Sequence, residues 1–360
     1  MKRYSVLLAT VLIAVAGAEA QTGKTEGYLR LGIEHHDQGS SASDTALGGM
    51  LKYTTAKYHG ISASAGFYTV QGVGSRENVG IPFYDNENHN YSLLGELYLQ
   101  GNFDNTTVTI GRQVIDTPFA DSDDISMVPN LFEAYSVENH ETLIFAHITK
   151  MAGVDAPDAS RFSKVNGSDG VQTLGLLYEG VQDTTLSGWY YHAHGLADMA
   201  YLEGAYEGSY SAGSWQVGAQ YALQDHENGE RANIYGVTAQ LSHETSGLSI
   251  VGAYNKVNSR KNTTADNFLG GGPFFASAEH LTLAEAGVDG KSYLAAMTYD
   301  FAAAGVEGMT LSLNALYLQG KDTKADELDW VLNYTPDEKT SVDLIYSDAK
   351  DRKDRSGSFK

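Results

Sequence analysis

The sequence predicts an all-β fold, a transmembrane antiparallel up-and-down β-barrel with about seventeen strands visible and eighteen expected in the complete protein. Three observations predict it. Segments of about ten residues alternate between apolar and polar side chains, long and short links follow one another in turn, and the chain opens with an export signal.

The export signal comes first. Lys2 and Arg3 precede an apolar run from Val6 to Ala16, about eleven residues long and too short to cross a bilayer. Ala18-Glu19-Ala20 then forms a small-residue cleavage site before Gln21. Residues 1–20 therefore read as a secretory signal peptide and 21–360 as the barrel. The absence of cysteine fits an oxidising compartment in which the fold uses no disulfide.

Removing Lys2, Arg3 and Glu19 leaves 22 basic and 44 acidic side chains, a formal charge of −22. That balance excludes nucleic acid as a partner, because phosphate neutralisation needs basic patches. The 42% hydrophobic content and 23 tyrosines oppose disorder, and 39 glycines against 6 prolines favour strands. No mature stretch is apolar for long enough to form a membrane helix, so a spanning state must be a barrel.

The strands follow in order. Leu29, Leu31 and Ile33 share one face of the first, with Arg30 and Glu34 on the other. The same period of two runs through Ile61 to Phe67, Trp215 to Leu223, Leu311 to Tyr317, Leu328 to Tyr334 and Val342 to Tyr346. The segments lie near 24–36, 46–58, 60–71, 89–101, 104–114, 131–138, 141–150, 170–181 and 184–194. They continue near 198–210, 213–224, 232–243, 247–257, 291–301, 309–319, 326–335 and 340–349. Links 37–45, 72–88, 115–130, 151–169 and 258–290 are long and follow odd-numbered segments, whereas those after even-numbered segments are mostly short. A soluble sandwich has no reason for that alternation. A barrel with short periplasmic turns and long external loops has.

Tyr221, Tyr254, Tyr317 and Tyr346 fall late in odd strands, and Tyr58 and Tyr334 late in even ones, as expected for aromatic girdles at two rims. Bacterial single-chain barrels have even strand numbers, so seventeen segments predict a closing strand lost by truncation after Lys360.

The link from Gly111 to Glu133 carries Pro118 and Pro129, which bar ladder pairing, and Asp116, Asp121, Asp123 and Asp124. It also carries Phe119, Ile125, Met127, Val128, Leu131 and Phe132, more large apolar residues than a solvated loop needs. The loop is expected to fold into the barrel and constrict it.

The run Gly111-Arg112-Gln113, Asp116-Thr117-Pro118, Asp123-Asp124, Met127-Val128-Pro129-Asn130 and Phe132-Glu133 resembles the OprD-like outer-membrane porin family. Gly270-Gly271-Gly272-Pro273-Phe274-Phe275 in the longest link is similar to relatives of that family. The resemblance implies an eighteen-stranded barrel whose inward loops narrow a pore for small solutes, often carboxylates or amino acids. Where the family often has Arg, Ser126 stands here, and few candidates remain for a lumenal arginine ladder: Arg30, Arg112 and a possible third cation, Lys52.

The expected constriction and lining residues are Arg30, Glu34, Lys52, Glu96, Arg112, Asp116, Asp121, Asp123 and Asp124. Together with Glu179, Glu203, Glu207, Asp329 and Asp343, the acids predict a negative lumen that prefers cations. Arg112 is expected to tie the third loop to the wall, for instance through Asp116. No cofactor or metal is expected: Asp121-x-Asp123-Asp124 lacks the glycine and later glutamate of a calcium loop, and His192 and His194 lack further ligands. Without G-x-S-x-G, H-E-x-x-H or P-loop patterns, no enzyme is expected. The partners are then small hydrophilic solutes (ions, amino acids or carboxylates) and outer-membrane lipid, with the protein a monomer or homotrimer. The alternative readings are a non-conducting barrel used for adhesion or recognition, and a soluble secreted β protein.

Overall fold

A computed structural model describes residues 2–13, 23–37, 41–77, 82–139 and 142–351. The cleavage-site residues and the tail at 356–360 lie outside the described residues.

The wall runs through β1 (Lys2–Ile13), β2 (Lys24–Asp37), β3 (Ser41–Thr54), β4 (Ile61–Arg76), β5 (Tyr91–Phe103), β6 (Thr106–Gln113), β7 (Leu131–Asn139) and β8 (Leu143–Ala152). A two-residue strand, β9 (Ser163–Lys164), extends the edge of β8. The wall resumes with β10 (Val171–Val181), β11 (Thr184–Ala193), β12 (Ala197–Tyr210), β13 (Gly213–His226), β14 (Arg231–His243) and β15 (Leu248–Arg260). It ends with β16 (Lys291–Asp300), β17 (Met309–Gln319), β18 (Lys324–Asp337) and β19 (Thr340–Asp351). Each of the eighteen long strands pairs antiparallel with its neighbours, and β1 joins β19 to β2. The closed ladder leaves no edge, which a wall in hydrocarbon requires.

The seventeen segments read from the sequence are β2 to β8 and β10 to β19. The slot expected for a closing strand is occupied by Lys2–Ile13, the stretch that also reads as an export leader. The physical reason is that an apolar run suits either role: Val6 and Leu8 point inward and are buried, and the run pairs along its whole length on both sides.

Alternation sorts the faces. Leu29, Leu31, Ile33, Leu51, Phe67, Leu97, Leu99, Val237 and Ile250 are exposed on the outer face, where lipid takes the place of water. Tyrosines crowd the long-loop rim: rings pair at 5.3 Å (Tyr221–Tyr235), 5.0 Å (Tyr254–Tyr293) and 6.2 Å (Tyr293–Tyr317). Tyr206 with Trp215 and Tyr334 mark the short-turn rim. Tyr334 pairs with Met309, eight residues from Tyr317. At about 3.3 Å per residue that is roughly 26 Å of tilted strand, matching the ~25 Å apolar band of such barrels.

Candidate functional site

The lumen is divided by the link between β6 and β7, here L3 (114–130). Its apolar residues are what drive it inward, and they anchor it at both ends. At one end Phe119 is fully buried, its ring 5.4 Å from Tyr191, 6.1 Å from Tyr201 and 6.3 Å from Phe274. The Phe119 N–H donates to the Tyr191 hydroxyl at 3.2 Å. At the other end Met127 lies against β2 and β3, where a Cβ on Gly32 would sit 2.9 Å from its Sδ and one on Gly48 2.9 Å from its Cε. L3 thus touches walls separated by an arc of ten strands, β2 to β12, and crosses the pore as a chord.

The longest link, L7 (261–290), also turns inward. Wall amides on β13 and β15 hold its backbone: Gln220 Nε2 donates to the Pro273 carbonyl at 2.9 Å, Gln224 Oε1 accepts from Asp266 N–H at 2.9 Å, and Asn255 Oδ1 accepts from Ala276 N–H at 2.8 Å. L7 meets L3 through a short bridge, Ala120 to Leu269, with Leu269 N–H donating to the Phe119 carbonyl. The glycine run is explained here. Gly270, Gly271 and Gly272 all have positive φ, and a Cβ on Gly271 would lie 2.8 Å from Asp121 Oδ1.

A family model for the outer membrane porin, OprD family, matches residues 66–355, most of the chain. The chain belongs to the OprD family of outer-membrane porins. No curated protein sequence matches it. Among solved structures, this OprD-family porin is similar to a BenF-like porin from Pseudomonas fluorescens Pf-5 (TM-score 0.71, 12% identity, 97% of this chain and 98% of that one). It is also similar to Acinetobacter baumannii OccAB4 (0.70, 13%, 97% and 98%) and to Pseudomonas aeruginosa OpdK, solved with vanillate (0.69, 13%, 97% and 97%). The fold is common to all of them. Placement in the outer membrane follows from the family, with the long loops outside.

The expected site residues separate into three groups in this porin. Lys52, Glu96 and Asp116 line a lumenal cavity of about 350 Å³ below L3, with Tyr98, Gln113 and Ser136. Lys52 Nζ bonds Glu96 at 2.6 Å, and the Tyr68 hydroxyl donates to the same carboxylate at 3.0 Å. Arg30 and Asp124 form the second group. Nearly buried on the inner face of β2, the guanidinium grips Asp124 of L3 through two bonds of 2.6 and 2.7 Å, and also donates to the Ser126 carbonyl and to Thr10. Arg30 is therefore a tether for the loop. Glu34 faces inward four residues further on, buried against His36 at 2.7 Å.

The third group, Asp121 and Asp123, sits where L3, L7 and the β8–β10 link L4 (153–170) meet. Asp123 hydrogen-bonds the Asp155 carboxyl of L4 and accepts from the Gly271 N–H of L7. Asn130 stitches the same junction, donating to Asp155 Oδ2 at 2.7 Å and accepting from its N–H at 3.0 Å. Arg112 joins none of these. Its register is that of the outward Ile110, and it stands opposite the outward Leu97, whereas Thr109 and Gln113 face inward. It lies 3.5 Å from Glu133, donates to the Leu94 carbonyl and stacks 4.4 Å over Phe162. The expected tie from Arg112 to Asp116 is absent, because a one-residue step along a strand exchanges lumen for outer face. Asp116 accepts from Ser122 N–H instead.

Burial, with the Asp155 carboxylate beside it, pushes the Asp123 carboxyl up to about 8, and burial raises Asp121 as well. An acid raised in the folded protein holds its proton more tightly there than when unfolded. Its share in binding the three loops together is complete below its ordinary value of 3.8 and is lost as pH rises to about 8. We expect open-channel current noise to grow from about pH 6 to about pH 9 as the two carboxylates come to repel, and Asp123→Asn to flatten that rise. A native channel equally quiet throughout the range would show that the junction does not titrate.

Sequence reasoning missed Asp155, Tyr191 and the amides that hold L7. Gln216, Gln220 and Gln224, spaced by four on the inner face of β13, were the visible signal. Nothing local marked Asp155. In L7, Glu279 is raised to about 7 by burial and the nearby Asp329, and burial lowers His280 to about 4. The Glu327 carboxylate on the wall accepts the N–H groups of His280 and Leu281 at 3.0 and 2.7 Å.

Proposed function

We propose that this porin passes small hydrophilic solutes and ions by diffusion with a mild preference for cations, through an opening bounded by L3 and L7. The observation that carries this reading is the state of the inward charges. Three inward cations are matched: Arg30 by Asp124, Lys52 by Glu96 and Lys24 by Glu26. Asp116, Glu138, Glu179 and Glu207 stand without a cationic partner among the described residues. Fixed carboxylates in a narrow, poorly screened channel raise the local cation concentration. Catalysis has no place in this reading, since the family is one of channels and selection rests on radius and lining charge.

Planar-bilayer recording under a tenfold potassium chloride gradient tests it. Discrete steps with a cation-selective reversal potential are expected. Lys52→Ala should increase that selectivity by releasing Glu96. Anion-selective steps would transfer control to the cations, and vanillate, the molecule in the OpdK structure, would then be the solute to try first. Membrane insertion without current would favour the recognition barrel.

A further inference from the structure

The outer face above the tyrosine girdle carries basic side chains that pore function does not use. Tyr254, Tyr293 and Tyr317 form a ladder on β15, β16 and β17. Two residues beyond them, about 7 Å nearer the long loops, the same outward register holds Lys256, Lys291 and Gln319. Lys256 stands directly opposite Lys291, Lys291 opposite Gln319, and Gln319 opposite Lys324. Lys321 completes a cleft of about 490 Å³ over this row. Arg260 continues the basic register on β15.

Two features set this patch apart. The protein is strongly acidic, with a formal charge of −21, yet Lys256, Arg260, Lys291, Lys321 and Lys324 have no ion pair among the described residues. Like charges placed directly opposite on adjacent strands destabilise a sheet, so the Lys256–Lys291 pair is a cost unless an anion lies between them. The acids nearby do not fill that role. Asp289 lines the cleft but accepts the Ser259 N–H at 3.0 Å, Asp225 is taken by Arg231, Asp326 lies opposite Tyr317, and Asp322 is in the β17–β18 link.

We propose that this cleft docks the phosphate groups of a glycolipid in the outer leaflet of the outer membrane. The proposal rests on the porin's orientation in that membrane. Tyrosines mark the level of the headgroups, and lysines one repeat higher meet the phosphates while their stems lie along the apolar wall. A lipid held there would seat β15 to β18 against the leaflet.

The test uses full-length protein folded in detergent micelles and incubated with lipopolysaccharide, with retained lipid read by native mass spectrometry. At about 5-fold per lysine, the Lys256→Gln/Lys291→Gln/Lys321→Gln variant should retain the glycolipid roughly 100-fold less tightly. Lys291→Glu alone should weaken it measurably, and Lys339→Gln, in a turn at the opposite rim, should change nothing. Dephosphorylated glycolipid should bind weakly, and retention should fall with added salt. Unchanged retention by the triple variant, or equal binding of the dephosphorylated lipid, would overturn the proposal. Displacement by inorganic phosphate at equal affinity would do so too, by showing a free-anion site. Because the patch faces away from the lumen, the variants should conduct normally. Loss of current in native protein would count against the porin reading, whereas intact current with unaltered lipid retention would count against this site alone.

Discussion

Replacing Asp124 by alanine is expected to destabilise the inward loop by about 3–5 kcal/mol and to raise single-channel conductance, because it strands a buried guanidinium. Only 5% of the Arg30 side chain is exposed, whereas 46% of Asp124 is. Without the carboxylate, Arg30 keeps the Ser126 carbonyl, the Thr10 hydroxyl and the Tyr28 ring, 4.9 Å away, none of them charged. The Asp343 charge also acts on it, but no hydrogen bond joins the two among the described residues. The reverse change, Arg30→Met, leaves Asp124 half in water, where hydration replaces the lost partner. We therefore expect Asp124→Ala to be the more damaging, by heat-induced unfolding in micelles and by conductance alike. Equal effects would mean that the pair acts only as a bridge and that burial of the arginine is unimportant.

Phe119→Ala should release the opposite end of the chord. The side chain is fully buried among Tyr191, Tyr201 and Phe274, and truncating such a phenylalanine costs about 3–5 kcal/mol. L7 should loosen with it, since the Phe119 carbonyl accepts from Leu269. The expected record is a larger and less stable open current. Tyr191→Phe is the control. It removes the hydroxyl that accepts the Phe119 N–H and also hydrogen-bonds Thr117, at about 1 kcal/mol per bond, and keeps the aromatic contact. Conductance of that variant should stay near the native value. A normal current from Phe119→Ala would place the constriction elsewhere.

The wall was legible because its signal is local. Outward leucines against inward polar residues repeat every two positions, and each of the seventeen segments corresponds to a strand, with ends displaced by a few residues, as for 46–58 against Ser41–Thr54. The inward fold of L3 was legible from its surplus of apolar residues. The partners within the lumen were not, because they join residues far apart: Arg30 and Asp124 lie 94 positions apart, and Gln220 and Pro273 lie 53 apart. Arg112 misled because its side depends on a single step of register at the end of β6. The N-terminal run is a different case. An unbroken apolar run satisfies export and a barrel wall equally well, so composition alone cannot tell them apart.

The slot held by β1 has a consequence for how the cylinder can be built. Because β1 runs opposite to both β2 and β19, those two strands point the same way. If export trims residues 1–20, the remaining staves cannot be hooped by simply drawing the ends together. That joint would set two upward staves side by side, in the slanted and slightly weaker pairing of parallel strands. Any segment that seals the cylinder without such a joint must descend from the outer rim to the inner one. The even number of staves is thus a rule of direction before it is one of girth.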